Sequence, residues 1–358
     1  MRKKILYAAS TASHLQRFHK PYIEALRRDA DVHLMANGEG VEHPIAFAKS
    51  YFSLSNLRAW WQIRRILKRE NYDLVILNTT LAAFWIRLAM LGMRRRPYVL
   101  NVVHGYLFPK TQGGLRGAIL LFCEKLVKGM TDDILVMNRE DLENAGEHRL
   151  CRKEVYFSYG MGLPADRVIP GETAVRRSLG LDKDSFVCTY VGELSKRKNQ
   201  GFLIDAVHRL REEGSAVRLL LVGLGNEEAN LKQRVADLGL EDRVFFLGHR
   251  DDIAEILSAT DLYVSASSCE GLPFNLMEAM AAGLPVLASD VRGQWDLLCE
   301  QEGALYPLND MEAFCQGIRN IRARGVYGKE SVEYPALERY LLPSVLEENL
   351  KIFTLGLK

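Results

Sequence analysis

Residues 267–286 read Ser-Ser-Cys-Glu-Gly-Leu-Pro-Phe-Asn-Leu-Met-Glu-Ala-Met-Ala-Ala-Gly-Leu-Pro-Val, and this stretch decides the fold. An apolar run, Leu262–Ser265, stands just before it and another, Val286–Ser289, closes it. Pro273 suits the first turn of a helix, Gly283 its C-terminal cap and Pro285 the exit, so the spacing predicts strand, helix and strand. The helix N-terminus then opens at the carboxyl edge of a parallel sheet. There the backbone N–H groups of Gly271, Leu272, Phe274 and Asn275 favour an anion or sugar hydroxyls. Glu270 precedes the helix and Glu278 lies in its first turns, so two carboxylates bracket one anion-binding turn. Two such glutamates, taken alone, also suit residues that merely complement the helix dipole.

The same alternation of short apolar runs and amphipathic segments extends outward in both directions. Ahead of it lie strands at Val187–Val191, Leu219–Val222 and Val244–Leu247, with helices at Asn199–Glu212, Glu227–Leu238 and Ile253–Ser258. Further upstream, strands are predicted at Lys4–Ala9, Val32–Ala36, Leu74–Leu77, Tyr98–Val103, Asp133–Met137 and Val155–Phe157. Helices are predicted near Gln16–Arg28, Leu57–Glu70, Leu81–Leu91, Gly114–Met130 and Glu140–Asn144. Gly160-Met161-Gly162-Leu163-Pro164 supplies a linker. The expected fold is α/β, with two Rossmann-like doubly wound domains, residues 1–162 and 163–340, facing across a cleft. The segment 341–358, helical over Pro343–Leu355, is expected to pack back across the linker.

Length and composition agree with two domains: 358 residues, 48% hydrophobic and 26% charged. The apolar stretch Leu74–Gly92 is interrupted by Asn78, Thr79, Thr80 and Arg87, which argues against a transmembrane helix. No signal peptide is read at the N-terminus, and the six cysteines form no C-x-x-C pair, so a cytoplasmic chain with reduced thiols is expected. A net charge of +2 hides an asymmetry, since residues 1–160 carry +10 and residues 161–358 carry −8.

The 267–286 block resembles the E-x7-E signature of retaining GT-B glycosyltransferases of family 4, in the form E-G-x-P-x-x-x-x-E-A-M-A-x-G-x-P-V. The resemblance implies that Glu270 contacts the transferred sugar and Glu278 holds the ribose of a nucleotide. Val191-Gly192-Glu193-Leu194-Ser195-Lys196-Arg197-Lys198-Asn199 looks like the phosphate-binding loop of that family, with Gly192 for close approach and Lys198 or Arg197 on the diphosphate. Glu193 stands where many relatives carry arginine. Val222-Gly223-Leu224-Gly225-Asn226 and Gly248-His249-Arg250 are glycine turns that, within the resemblance, line the nucleotide pocket, with His249 and Arg250 near the base. Position 228 is Glu, and no glycine follows the first strand, so a dinucleotide fingerprint is missing and an NAD enzyme is not expected. His104, in Val102-Val103-His104-Gly105-Tyr106, matches an H-G motif by the transferred sugar. His14 occupies the first βα loop, where acceptor or pyrophosphate can be touched.

A retaining enzyme without its own nucleophile lets the leaving phosphate accept the acceptor's proton. Catalysis then reduces to charge stabilisation by Lys198, Arg197 and the helix N-terminus and to orientation by Glu270 and His104. The Asp-x-Asp pairs at Asp29/Asp31 and Asp182/Asp184 precede strands and read as turns, so no metal and no cofactor are expected. Residues 58–69, with Trp60-Trp61 among five cations, and residues 90–96 suit an anionic bilayer surface. The expected activity is transfer of a hexose or N-acetylhexosamine from a UDP-sugar to a lipid-linked saccharide acceptor, in capsule, exopolysaccharide or O-antigen biosynthesis. The inner face of the cytoplasmic membrane is the expected partner surface. Nucleic acid is not expected, because the basic residues lack interleaved stacking aromatics. Two alternatives stay open: a sugar-nucleotide epimerase of related fold, and a non-catalytic partner subunit of a transferase.

Overall fold

A computed structural model describes residues 2–48, 53–108, 114–164, 174–182, 185–299, 304–325, 327–328 and 331–357. The chain divides into two compact units, Met1–Gly162 with Leu342–Lys358, and Leu163–Leu341.

The first unit opens with β1 (Lys3–Thr11), α1 (Ala12–His14), a π-helical turn (Leu15–His19), α2 (Lys20–Asp29), β2 (Ala30–Asn37) and β3 (His43–Pro44). It continues with α3 (Ser55–Glu70), β4 (Leu74–Asn78), α4 (Thr80–Met90), β5 (Tyr98–Val103), α5 (Gly114–Val127), β6 (Asp133–Val136), α6 (Arg139–Glu147) and β7 (Val155–Phe157). The strands form one parallel sheet in the order β3-β2-β1-β4-β5-β6-β7. Every residue of β4 is buried, as is Ile5–Ala9 of β1, which is how a strand covered on both faces reads. Chain order reverses between β1 and β4, and open α/β sheets bind ligands beyond the carboxyl ends at such a point.

Helix α4 packs between α3 and α5. α3 buries Asn56, Ala59, Ile63 and Leu67, a spacing of three and four that keeps one stripe in the core. α4 is apolar nearly all round, and its one cation, Arg87, is wholly buried. Arg87 donates to Ala83 O and Glu124 Oε1 at 2.9 Å and to Thr131 Oγ1 at 3.1 Å. The apolar stretch is therefore a core helix carrying a paired charge. No helix among the described residues is long and apolar enough to cross a membrane.

The second unit runs α7 (Ala174–Ser178), β8 (Phe186–Val191), α8 (Gln200–Glu212), β9 (Val217–Val222), α9 (Glu228–Asp237), β10 (Val244–Gly248) and α10 (Ile253–Ser258). It ends with β11 (Leu262–Ser265), α11 (Phe274–Ala281), β12 (Val286–Ser289), α12 (Gln294–Leu298), β13 (Leu305–Tyr306) and α13 (Met311–Arg324). Its parallel sheet has the order β10-β9-β8-β11-β12-β13, and the reversal lies between β8 and β11.

From Leu342 the chain rejoins the first unit as α14 (Leu342–Phe353), which lies on α2. Asn349 Nδ2 donates to Tyr22 Oη at 3.0 Å and to Gly160 O at 2.8 Å, and the Phe353 ring is fully buried beside Tyr7 and Tyr22. Gly162 (φ +84°) marks this crossing, because a Cβ there would stand 2.4 Å from Leu342 Cα.

Three expectations are corrected. The helix expected over Gln16–Arg28 is interrupted by the π-helical turn and becomes regular only at Lys20. Pro273 is the extended N-cap of α11 and not a helical residue, while Gly283 (φ +67°) follows its end in the left-handed conformation. His14 is not in a loop, since β1 runs to Thr11, whose side chain caps α1 directly. Asp184, part of one Asp-x-Asp pair, lies outside the described residues.

Candidate active site

In the second unit the loops after β8 and β11 meet at the point where strand order reverses. Ser268 N donates to Arg197 O at 2.9 Å and Ser268 Oγ to the same oxygen at 3.1 Å, so the two loops are tied by backbone. Their side chains converge on Glu270. Lys198 Nζ pairs with Glu270 Oε1, and Arg197 Nη1 lies 3.0 Å from Oε2 while also donating to Cys269 O at 2.7 Å. Glu270 and Lys198 are both nearly inaccessible, at 6% and 8% exposure. Burial alone would raise the Glu270 carboxyl, yet the two cations outweigh it and hold it below its ordinary range. The Glu270–Lys198 pair is therefore held away from bulk water, where fixed charges act most strongly on a reacting group, while Arg197 reaches the same carboxylate from the solvent side.

A set of hydroxyls and one amide supports the loop from beneath. Ser289 Oγ donates to Ser267 O at 2.6 Å and Gln294 Nε2 to Ser265 Oγ at 2.5 Å. Asn275 Nδ2 donates to Val191 O, fastening the start of α11 to the end of β8. Buried Arg292 reaches Cys269 Sγ at 3.0 Å. Sequence reading missed Ser289, Arg292 and Gln294, because their residue types are ordinary and only the folding of β12, the turn after it and the start of α12 beside the loop brings them in. Glu278 is buried in the second turn of α11, and Gly271, Leu272 and Phe274 are half-buried at its entry.

The glycine turns sit side by side at the carboxyl ends of β8, β9 and β10. Gly192 N donates to Val222 O at 2.8 Å and Gly223 N to Gly248 O at 2.7 Å. At Gly223 (φ +135°) a Cβ would fall 2.0 Å from Gly192 O, so no other residue fits this close approach. His249 and Arg250 follow β10 at the sheet edge and are exposed. Arg250 is committed to Asp252, with Nε donating to Oδ1 at 2.7 Å, and neither residue touches the Glu270 cluster.

In the first unit, His104 follows β5 and His14 ends α1, and a third ring, His19, joins them. The centroids of all three pairs lie 4.9–5.1 Å apart. Burial pushes His14 down to about 4 and lowers His19 and His104 well below the ordinary imidazole value. These rings are neutral near pH 7, so they offer hydrogen bonds to hydroxyls and supply no charge to a pyrophosphate. His19 was invisible to sequence reading for a geometric reason. Residues five apart in an α-helix project about 140° apart, but the π-helical turn between Leu15 and His19 brings His14 and His19 onto one face.

Two profiles match the chain, Glycosyl transferases group 1 over residues 172–325 and Glycosyl transferase 4-like domain over residues 6–160. EpsD of Bacillus subtilis (strain 168), assigned as a glycosyltransferase, is 30% identical over 90% of this chain and 88% of its own. The Escherichia coli UDP-Gal:alpha-D-GlcNAc-diphosphoundecaprenol alpha-1,3-galactosyltransferase is 28% identical over 74% of this chain and 70% of its own. Among solved structures, Anabaena Alr3699/HepE in complex with UDP and glucose matches with a TM-score of 0.75 at 20% identity, covering 98% of this chain and 99% of that one. The fold is that of the GT-B glycosyltransferases. With a full-length relative at this identity and the Glu270–Lys198 site at the reversal of the second sheet, the chain belongs to the group 1 family of glycosyltransferases.

Proposed function

We propose that the protein is a retaining, metal-independent transferase that moves a hexose or N-acetylhexosamine from a UDP-sugar to a lipid-linked saccharide during polysaccharide biosynthesis at the inner face of the cytoplasmic membrane. The observation that carries this reading is the buried Glu270 carboxylate bridged by Lys198 and Arg197 at the entry to α11. When the glycosidic bond breaks, negative charge grows on the departing diphosphate. Lys198, Arg197 and the N-terminus of α11 are cations and donors fixed in advance for that charge, with no metal in the step. Glu270, partly released as its cations turn to the diphosphate, orients the sugar. The leaving phosphate takes the acceptor's proton on the same face, so configuration is retained. Glu278 holds the ribose, and neutral His104 and His14 hydrogen-bond sugar and acceptor hydroxyls. The relative named for a UDP-galactose donor and a diphosphoundecaprenol acceptor, and the HepE complex with UDP and glucose, support the choice of donor and acceptor class.

The acceptor is delivered at a membrane face for which the first unit has a suitable surface. On α5, Leu115, Ile119, Phe122 and Leu126 are exposed at spacings of four, three and four, forming one apolar stripe with Arg116 and Lys125 on the same helix. At the N-cap of α3 and along it, exposed Leu54, Leu57 and Trp61 stand among exposed Arg58, Arg65 and Lys68. Apolar side chains flanked by cations fit the headgroup layer of an anionic bilayer.

A panel of UDP-sugars with undecaprenyl-diphosphate-linked saccharides tests the reading. One donor should give product with the donor's anomeric configuration, unaffected by EDTA, and Lys198→Ala should lower kcat by about 10²–10³-fold. An inverted product, or loss of activity on chelation with recovery on added magnesium or manganese, overturns the mechanism.

A further inference from the structure

The three histidines of the first unit form a donor set of which the proposed sugar and acceptor contacts use only two, His14 and His104. One ring nitrogen from each of His14, His19 and His104 lies within 4.8 Å of the other two, and the group contains no carboxylate. His14 Nε2 and His19 Nε2 are 3.2 Å apart. Two nitrogens bound to one tetrahedral zinc at about 2.0–2.1 Å stand about 3.3–3.4 Å from each other, so this pair already has the spacing. The third nitrogen lies within 4.8 Å of these two and has to be drawn inward by rotation of its ring to complete the triangle.

We propose that His14, His19 and His104 bind a borderline divalent transition-metal ion, Zn²⁺ being the natural fit, through three imidazole nitrogens with one coordination position left open. An all-imidazole set selects zinc, copper or nickel over magnesium or calcium, which demand oxygen ligands. The surroundings already orient the rings as ligands need. Tyr7 Oη bonds His19 Nδ1 at 2.8 Å, which fixes the buried ring with Nε2 turned into the cluster. Asn78 Nδ2 donates to Ala8 O at 3.2 Å, so its Oδ1 is left facing the His104 ring as an acceptor, 3.5 Å from Nε2. Tyr7, Asn78 and His104 come from the three neighbouring strands β1, β4 and β5 or their ends, so a rigid sheet holds the shell.

The site goes beyond the transfer reaction and opposes it. A metal held here withdraws the His14 and His104 lone pairs from substrate, and zinc therefore acts as an inhibitor that a chelator reverses. That consequence rests on the proposed function, whereas metal binding itself does not.

The full-length protein, stripped with a chelator, is titrated with Co²⁺ and then Zn²⁺. One equivalent of cobalt should produce the intense visible bands of a tetrahedral site without a sulfur charge-transfer band, and zinc should bleach them. Substituting a ligand, His14→Ala or His104→Ala, should weaken binding by about tenfold or more, as even loss of an outer partner costs tenfold or more. Because a ligand variant can fail to fold, zinc X-ray absorption on the wild type decides independently. Its expected result is a nitrogen shell at about 2.0 Å with imidazole scattering. A sulfur shell at about 2.3 Å, which would place the metal on the free cysteines, overturns the proposal. So does a cobalt-silent protein, or unchanged affinity in a folded variant. A wild type that binds zinc yet shows no sugar transfer even when stripped of metal would sink the proposed function and leave the metal site standing.

Discussion

Glu270 gathers two cations on one carboxylate, and the direction of its charge state follows from a contest between burial and proximity that the cations win. Glu278 is buried eight residues further on, in the second turn of α11. If it accepts hydrogen bonds from a ribose, Glu278→Ala removes charged hydrogen bonds worth roughly 1.5–3 kcal/mol. UDP affinity by calorimetry should then fall by about 10-fold to 100-fold. An unchanged dissociation constant in a folded variant would take Glu278 out of the nucleotide site. The exposed pair His249 and Arg250 presents the opposite case. Arg250 already spends Nε and Nη2 on Asp252, so only its remaining donors are left for a base.

At the scale of elements, the basic segments divide into cations that hold the fold and cations that face solvent. Arg64 Nη1 donates to Ala89 O at 2.6 Å and Leu91 O at 2.8 Å, where it satisfies the last carbonyls of α4. Arg96 makes a two-pronged pair with Asp132 at 2.6 and 2.8 Å. Trp60 is half-buried against the core, whereas its neighbour Trp61 is 67% exposed. For the proposed membrane face, α3 offers the exposed cations Arg58, Arg65 and Lys68 beside the α5 stripe, whereas exposed Arg69 is paired with Glu70. Changing those three cations to Gln should release the protein from anionic vesicles, at about 1 kcal/mol for each charge, with high salt mimicking the change. Phe122→Ser with Leu126→Ser should do so with less dependence on salt. UDP affinity should be unaltered in both variants. Co-sedimentation provides the measurement, and wild-type protein that stays in the supernatant at low salt refutes the membrane face.

For the whole molecule, the return of the chain at Leu342 makes the first unit depend on the C-terminus. Phe353 is fully buried between Tyr7 and Tyr22, so Phe353→Ala should cost the first unit about 3–5 kcal/mol. The second unit has its own core and should keep its stability and its UDP affinity. Calorimetric scans would show one transition lowered and one unmoved. A parallel fall of both would mean that the units unfold as one.

The strand and helix alternation, the placement of Glu270 and Glu278 around α11 and the loop bearing Arg197 and Lys198 were all legible in the sequence. They rest on local rules: apolar period, proline and glycine at caps, and residue types at fixed spacing. Sequence also marked His14 and His104 individually. What it could not supply was anything set by backbone that departs from a regular period or by strands distant along the chain. A five-residue spacing is meaningless in an α-helix, so His19 joined the cluster only through the π-helical turn. Arg64 and Arg96 looked like free surface charge until the carbonyls of α4 and the carboxylate of Asp132 were found beside them. Local chemistry is written along the chain, but which charges remain unspent is decided by partners that only the folded sheet brings within reach.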